Sequence, residues 1–231
     1  MVDWKNQLGI IVPSGNTVME YEWSRLVPAG VSVHSCRIPH NDSSDDTSLQ
    51  TVKEAAEAAE LLAHAKVQAI CFGCTVESFQ TIGIDLKIIR EIETATKTIA
   101  TTTTTAIIDA LKYLGIESVA IASPYPQQIN ELFAKYLAHS GFKVMTHKGL
   151  ADKNSAAMPP ETACNLAIEV NSKEAEAIII SCSNFRSLEV IERLEKELEK
   201  PVIASNTASL WKTLRLAQVK DQVPDAGMLF K

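Results

Sequence analysis

No run in this 231-residue chain is apolar over the length that a bilayer crossing requires. Met1-Val-Asp-Trp-Lys lacks the apolar centre of a secretory leader, so the expected location is the cytoplasm, with no membrane partner. Positive charge is in short supply. Lys and Arg number 22 against 28 Asp and Glu, and the net charge of −6 argues against nucleic acid or an anionic membrane as the main partner. A G-x-G-x-x-G turn, a P-loop and a His/Asp/Glu set at metal-ligand spacing are all missing from the sequence, so neither cofactor nor metal is expected. The five cysteines are odd in number and match no disulfide framework or zinc pattern. Cys71 and Cys74 are formally Cys-x-x-Cys, but Cys71 falls inside an apolar strand run, which weakens a redox or metal reading of the pair. The five histidines have no partners at useful spacing and default to structural or surface roles.

What is present is a soluble, enzyme-like balance, 46% hydrophobic and 22% charged, enough for one large core or two small ones. Two cysteines occupy matching places in the two halves. Cys74 closes Ala69-Ile-Cys-Phe-Gly-Cys-Thr75, and Cys182 closes Ala177-Ile-Ile-Ile-Ser-Cys-Ser183. Each follows an apolar run that reads as a buried strand and precedes a polar stretch entering a helix. The carboxyl end of a parallel strand is where α/β proteins place ligands, and a helix N-terminus there favours the thiolate. The matching extends further. Ile10-Ile-Val-Pro-Ser-Gly-Asn16 resembles Ala120-Ile-Ala-Ser-Pro-Tyr-Pro126, with an offset of 110 between Val12 and Ala122. The cysteines stand 108 apart, and Thr98-Ile-Ala-Thr-Thr-Thr103 matches Val202-Ile-Ala-Ser-Asn-Thr207 at an offset of 104. Three segments in one order at slowly drifting offsets point to an internal duplication.

The pattern predicts strands over 8–12, 31–36, 67–72, 98–101, 119–122, 143–147, 177–181 and 201–204. It predicts helices over 18–26, 49–65, 86–94, 106–114, 127–140, 161–170, 188–199 and 209–217. Pro39 to Ser48 is polar and turn-rich, a surface loop and a candidate lid. The threonine run 101–105 supplies hydroxyls to cap a helix or line a cleft. Strands alternating with helices give an α/β fold with parallel sheets. The expected division is an N-terminal half of 1–105 plus 207–231 and a C-terminal half of 106–206, tightly packed, with the closing helix returning to the first half.

These residues resemble a known group, the aspartate/glutamate racemase superfamily, and within it the maleate cis-trans isomerase and arylmalonate decarboxylase branch. The resemblance rests on Val12-Pro-Ser-Gly-Asn-Thr-Val-Met-Glu20, Gly73-Cys-Thr-Val-Glu-Ser-Phe79, Ser123-Pro-Tyr125, Ser181-Cys-Ser-Asn-Phe-Arg186 and Pro201-Val-Ile-Ala-Ser-Asn206, in family order over nearly the whole chain. It implies two flavodoxin-like halves related by a pseudo-two-fold axis, an active site between them, and no cofactor or metal. It also implies Cys74 and Cys182 as the catalytic pair, with Asn16, Thr75, Tyr125, Asn154 and Ser183 binding substrate. Decarboxylases of this branch resemble the chain but have glycine at the position of Cys74, so the two thiols point toward isomerisation.

The implied reaction is conversion of a small dicarboxylate, maleate to fumarate, through a covalent cysteine adduct. Thiolate addition turns the double bond into a rotatable single bond, and donors already in place receive the charge that develops on the far carboxylate. A two-cysteine racemase or epimerase and a non-catalytic small-acid binding protein are the alternatives. Each residue also has a plainer reading. Cys74 and Cys182 belong to a residue type often simply buried, Asn16 serves a turn, Tyr125 packs, and Asn154 sits in an ordinary loop. Cys36 and Cys164 are expected in the core, and Asn206 as a helix cap. Glu77 departs from the small polar residues that follow the first cysteine in the isomerases. It either points away as a helix N-terminal residue or marks a substrate other than maleate. A homodimer is the default expectation.

Overall fold

Period-two alternation sorts each strand's side chains to two faces, and that sorting organises the whole chain. The computed structural model describes residues 5–39 and 47–231. β1 (Asn6–Pro13), α1 (Met19–Leu26), β2 (Val31–Ile38), α2 (Thr47–His64), β3 (Ala69–Phe72), α3 (Ile84–Thr96) and β4 (Ile99–Thr102) build a first parallel sheet in the order β2-β1-β3-β4. After α4 (Thr103–Tyr113) come β5 (Ser118–Ser123), α5 (Gln127–His139), β6 (Lys143–Gly149), α6 (Pro160–Val170), β7 (Ala177–Ile180), α7 (Ile191–Leu198) and β8 (Val202–Ala204). They build a second parallel sheet in the equivalent order β6-β5-β7-β8. α8 (Ser205–Leu216) follows and packs against α4 and against β3 and β4 of the first sheet.

Ile11, Ile70 and Phe72 face one way, into a core roofed by α2 and α3 through Ala55, Ala59, Ile88 and Ile92. Ala120, Ile178 and Ile180 face the equivalent way in the second sheet, under Ala163, Leu166, Ile191 and Leu194. The alternate residues Leu8, Ile10, Cys71, Val119, Ile121, Ile179 and Ile203 enter a third core shared by both sheets, with Trp23, Ile107, Phe133, Leu210 and Leu214. This shared core joins the halves through buried apolar area, the dominant stabilising term. Among the described residues, no helix is long and apolar enough to cross a membrane.

All predicted strands form, and α4 and α8 start furthest ahead of their predicted positions. α4 begins at Thr103 rather than Ala106, with Thr102 Oγ1 accepting the Thr105 N–H at 3.1 Å. α8 begins at Ser205 rather than Ser209. Both first turns are polar residues that hydrophobic periodicity does not register. The segment 188–199 opens with a 3₁₀ turn at Leu188–Val190 before α7. Asn206 is not the cap of α8, because it lies inside the first turn with its side chain directed elsewhere. Of the lid expected over 39–48, residues 40–46 lie outside the described residues. Hydrogen-bond register also moves the internal correspondence. Ile11 and Ala122 are equivalent, lying opposite Phe72 and Ile180, so the β1 match is one residue from the sequence alignment. Thr102 and Ala204 lie opposite the same two residues, so the β4 match is two residues away.

One buried carboxylate ties the halves where the shared core meets the site. Glu22 on α1 is 1% exposed and accepts the N–H groups of Ser187 and Leu188 at 3.0 and 3.1 Å. Its other oxygen accepts Asn206 Nδ2 at 2.7 Å. Burial pushes its pKa up, and the Asn206 and backbone bonds oppose that rise. The raised value means the folded state favours the protonated carboxyl, so this contribution is full at acid pH and is lost as pH rises through the folded pKa. Glu22→Ala strands two buried N–H groups and the Asn206 amide, and should destabilise by about 3 kcal/mol. Differential scanning calorimetry should show the melting midpoint falling by about 6–12 °C; an unchanged midpoint would show that the tie contributes nothing.

Candidate active site

The carboxyl ends of β3 and β7 deliver Cys74 and Cys182 into one site. Neither cysteine heads a helix, which corrects the expectation of help from a helix dipole. Cys74 enters a run of tight turns that lasts until α3 begins at Ile84, and Cys182 enters turns that last until Leu188. Single backbone N–H groups replace the dipole, from Glu77 to the Cys74 sulfur and from Asn184 to the Cys182 sulfur. Gly73 allows the approach on the first side, since a Cβ there would stand 2.6 Å from Met19 Sδ and 3.0 Å from the Ile11 carbonyl.

The two thiols differ in their surroundings. Cys74 is 6% exposed, and burial pushes its pKa well above the ordinary thiol value. The Glu77 carboxylate beside it adds to the rise, as does charge on Cys182, while the Glu77 N–H opposes it. Cys182 is partly buried and its pKa is also raised by burial, but three donors work against that. They are the Tyr125 hydroxyl, the Asn184 N–H and the Ser155 hydroxyl. Cys182 also has φ +138°, a region that L-residues rarely adopt and that costs on the order of 1–3 kcal/mol. Its N–H is held by Ser205 Oγ at 3.0 Å.

Tyr125, Ser183 and Asn16 converge around this pair. Tyr125 is partly buried between Phe79 (ring centroids 6.4 Å apart, edge-to-face) and the cysteines. Burial, then charge on and bonding to Cys182, push its phenol pKa well up, with the Ser181 hydroxyl opposing. The tyrosine therefore stays a donor at neutral pH. Gly149 gives its loop room, since a Cβ there would sit 1.9 Å from the Tyr125 carbonyl oxygen. Asn16 fills two roles. Its Oδ1 accepts the N–H groups of Val18 and Met19 at 3.0 Å, organising the head of α1. Its Nδ2 donates to Ser183 Oγ at 3.0 Å across the halves. Thr75 Oγ1 donates to Ser205 Oγ at 3.2 Å, linking the turn after one cysteine to the N–H of the other.

The remaining assignments divide. Asn154 is exposed, with its N–H on Asp152 Oδ1 at 2.8 Å, and its neighbour Ser155 reaches Cys182 instead. Cys164 is buried and Cys36 partly buried. Cys71 is fully buried against Ser209 and Thr213 of α8, burial raising its pKa to about 12 with those hydroxyls opposing. Among the described residues, no cluster of three or more His, Cys, Asp or Glu side chains is placed to hold a metal. Sequence reasoning missed Ser155, Ser181, Asn184 and Ser205. Three of these sit inside the quoted motifs, beside residues that were singled out, and Ser155 is one residue from Asn154. Glu77, left open between two readings, places its carboxylate against the Cys74 sulfur.

These surroundings order the two thiols. Cys182, with three donors, should ionise before Cys74, which faces a carboxylate. Iodoacetamide labelling at pH 8, read by peptide mass spectrometry, should modify Cys182 first. Tyr125→Phe removes a donor from the Cys182 thiolate and should slow its labelling about tenfold or more. Equal rates in the two proteins would show that the phenol does not govern this thiol.

The arylmalonate decarboxylase family profile matches residues 8–230 of the chain. A maleate isomerase of Nocardia farcinica is 27% identical over 97% of this chain and 95% of its own length. A cysteine-to-serine mutant of a Nocardia farcinica maleate isomerase has been solved with a covalently bound succinylcysteine intermediate, and superimposes with a TM-score of 0.89 at 24% identity over 97% and 98% of the two chains. An arylmalonate decarboxylase of Bordetella bronchiseptica is 25% identical over 91% of this chain and 90% of its own. A cysteine-to-alanine variant of the maleate isomerase of Pseudomonas putida S16, solved with maleate, superimposes with a TM-score of 0.91 at 25% identity over 97% of each chain. With nearly its whole length matched, the chain belongs to the arylmalonate decarboxylase family.

Proposed function

We propose that the chain is a cofactor-independent cis-trans isomerase of a small dicarboxylate, with maleate to fumarate as its reaction. The observation that carries this reading is the meeting of two unlike thiols in one site, Cys74 and Cys182, with a donor set assembled on the second. The maleate isomerases among its relatives, one captured as a succinylcysteine, support it.

The chemistry follows from the surroundings. Cys74 first gives its proton to solvent, and the resulting thiolate attacks one alkene carbon; the C–S bond forms and the π pair moves to the neighbouring carbon and its carboxylate. Cys182 gives its proton to that carbon, and the thiolate left behind is held by Tyr125, the Asn184 N–H and Ser155. The new single bond rotates, Cys182 takes the proton back, and the C–S bond breaks to release the trans diacid. Asn16, Thr75 and Ser183 line the part of the site where the far carboxylate is received, and Asn154 contributes from the surface loop. The expected setting is cytoplasmic, with two copies associating as a homodimer.

A racemase or epimerase is the second reading, favoured by the same pair, since two thiols on one cleft, one ionised to take a proton and one protonated to return it, are what two-base proton exchange needs. Proton NMR with maleate separates the readings. Wild type should form fumarate, and Cys74→Ala or Cys182→Ala should each lose about a thousandfold or more in kcat. A well-folded wild type that forms none would overturn the maleate assignment. Solvent deuterium appearing at the α-carbon of a chiral acid would establish the racemase.

Because Cys74 is held neutral by burial and by Glu77, kcat/KM should rise with pH from 7 toward 9, about tenfold per unit at first. A flat profile would show that the attacking thiol is already ionised.

A further inference from the structure

The group beside the attacking sulfur bears on which acid fits, an inference that rests on the isomerase reading above. Residues 74–79 are wound into consecutive turns. The Ser78 N–H reaches the Cys74 and Thr75 carbonyls at 3.3 and 3.2 Å, and the Phe79 N–H reaches the Val76 carbonyl at 3.1 Å. Ser78 Oγ bonds the Thr75 carbonyl at 2.9 Å and Thr104 Oγ1 at 2.6 Å, and Phe79 stacks on Phe133 at 4.6 Å. This locked turn folds Glu77 back over Cys74, so that both its N–H and its carboxylate bond the sulfur.

When that sulfur bonds to an alkene carbon, the substituent on the same carbon comes within about 3–4 Å of it, beside the Glu77 carboxylate. The electron sink is the carboxylate on the other carbon, so the near substituent need not be charged. A carboxylate there would face a like charge at about 4 Å, a discrimination on the order of a hundredfold at the dielectric of a partly buried site. An uncharged N–H or O–H group would instead donate to Glu77.

We propose that Glu77 sets the charge of the substrate: the site prefers a four-carbon cis-alkenoate mono-anion, of the half-amide class, whose neutral donor group sits on the carbon attacked by Cys74, over the dianion maleate. Glu77 is thereby the residue that determines specificity, and the carboxylate at the far end remains the common handle.

Isothermal titration calorimetry on the full chain tests this with two unreactive saturated probes, succinate and its half-amide, beside turnover of maleate and the half-amide of maleic acid. Wild type should bind the half-amide at least tenfold tighter. Glu77→Gln, and Glu77→Ser as a second variant, should shift the affinity ratio toward succinate by tenfold or more, and the kcat/KM ratio likewise. A wild type that prefers the dianion, a ratio that neither variant moves, or failure to bind either probe would overturn the proposal. A binding ratio that shifts as expected without turnover of either alkene would support charge selection while sinking the isomerase reading.

Discussion

The Asn206 side chain is the point at which the two halves and the site are held in one geometry. Its Nδ2 is shared between Glu22 of α1 at 2.7 Å and the Ser183 carbonyl at 3.1 Å, while the backbone carbonyl of Asn206 accepts Trp23 Nε1 at 3.0 Å. Glu22 in turn holds the backbone at Ser187 and Leu188. The loop carrying Cys182 is thus held at Ser183 by Asn206 of α8 and at Ser187 and Leu188 by Glu22 of α1. A buried polar network of this kind is costly if broken and fixes a single arrangement when intact. Asn184 reinforces it, accepting the Thr17 N–H at 2.9 Å and donating to the Gly15 carbonyl. Thr104, two residues beyond Thr102 as Asn206 is beyond Ala204, bonds the Thr75 carbonyl at 3.3 Å. The duplicated frame therefore grips the residue after each cysteine in the same way.

On that repeated frame the two cysteine positions have diverged. Each sulfur has one backbone N–H, but Cys182 also received a tyrosine and a serine, and Cys74 a carboxylate. A symmetric scaffold thereby holds an asymmetric pair, one thiol whose anion is met by three donors, the other held protonated by burial and a carboxylate. This division suits a reaction whose two steps ask different things of sulfur. The aromatic contacts Phe79–Phe133 and Phe79–Tyr125 couple the two environments, because Phe79 closes the turn of the first cysteine and packs on the tyrosine of the second.

Much of this was legible in the sequence because strands buried on both faces read as unbroken apolar runs, and each run ended on the cysteine it delivers. The fold class, the strands and the placing of Cys74 and Cys182 at strand ends follow from that, whereas Tyr125, Asn16 and Ser183 were pointed to by the family resemblance. What escaped was carried by polar residues whose partners lie far along the chain. Glu22 reads as an ordinary helix carboxylate until Ser187 and Asn206 are brought to it. Ser155 and Asn154 are adjacent and chemically alike, and only the path of the loop after β6 decides which one reaches the sulfur. The starts of α4 and α8 were hidden for a related reason, since Thr103 and Ser205 carry no apolar periodicity although both side chains bond the cysteine-bearing strands or their ends. Register, too, is set by backbone pairing rather than by the likeness of turn residues, which is why the internal match slid by one residue at β1 and two at β4.

The positive φ of Cys182 has an evolutionary side. Glycine would relax that backbone, so the fold gains stability from the very substitution that deletes the thiol. On the proposed function, the thiol is therefore kept at a cost to stability, and its loss would leave a calmer fold with the same architecture.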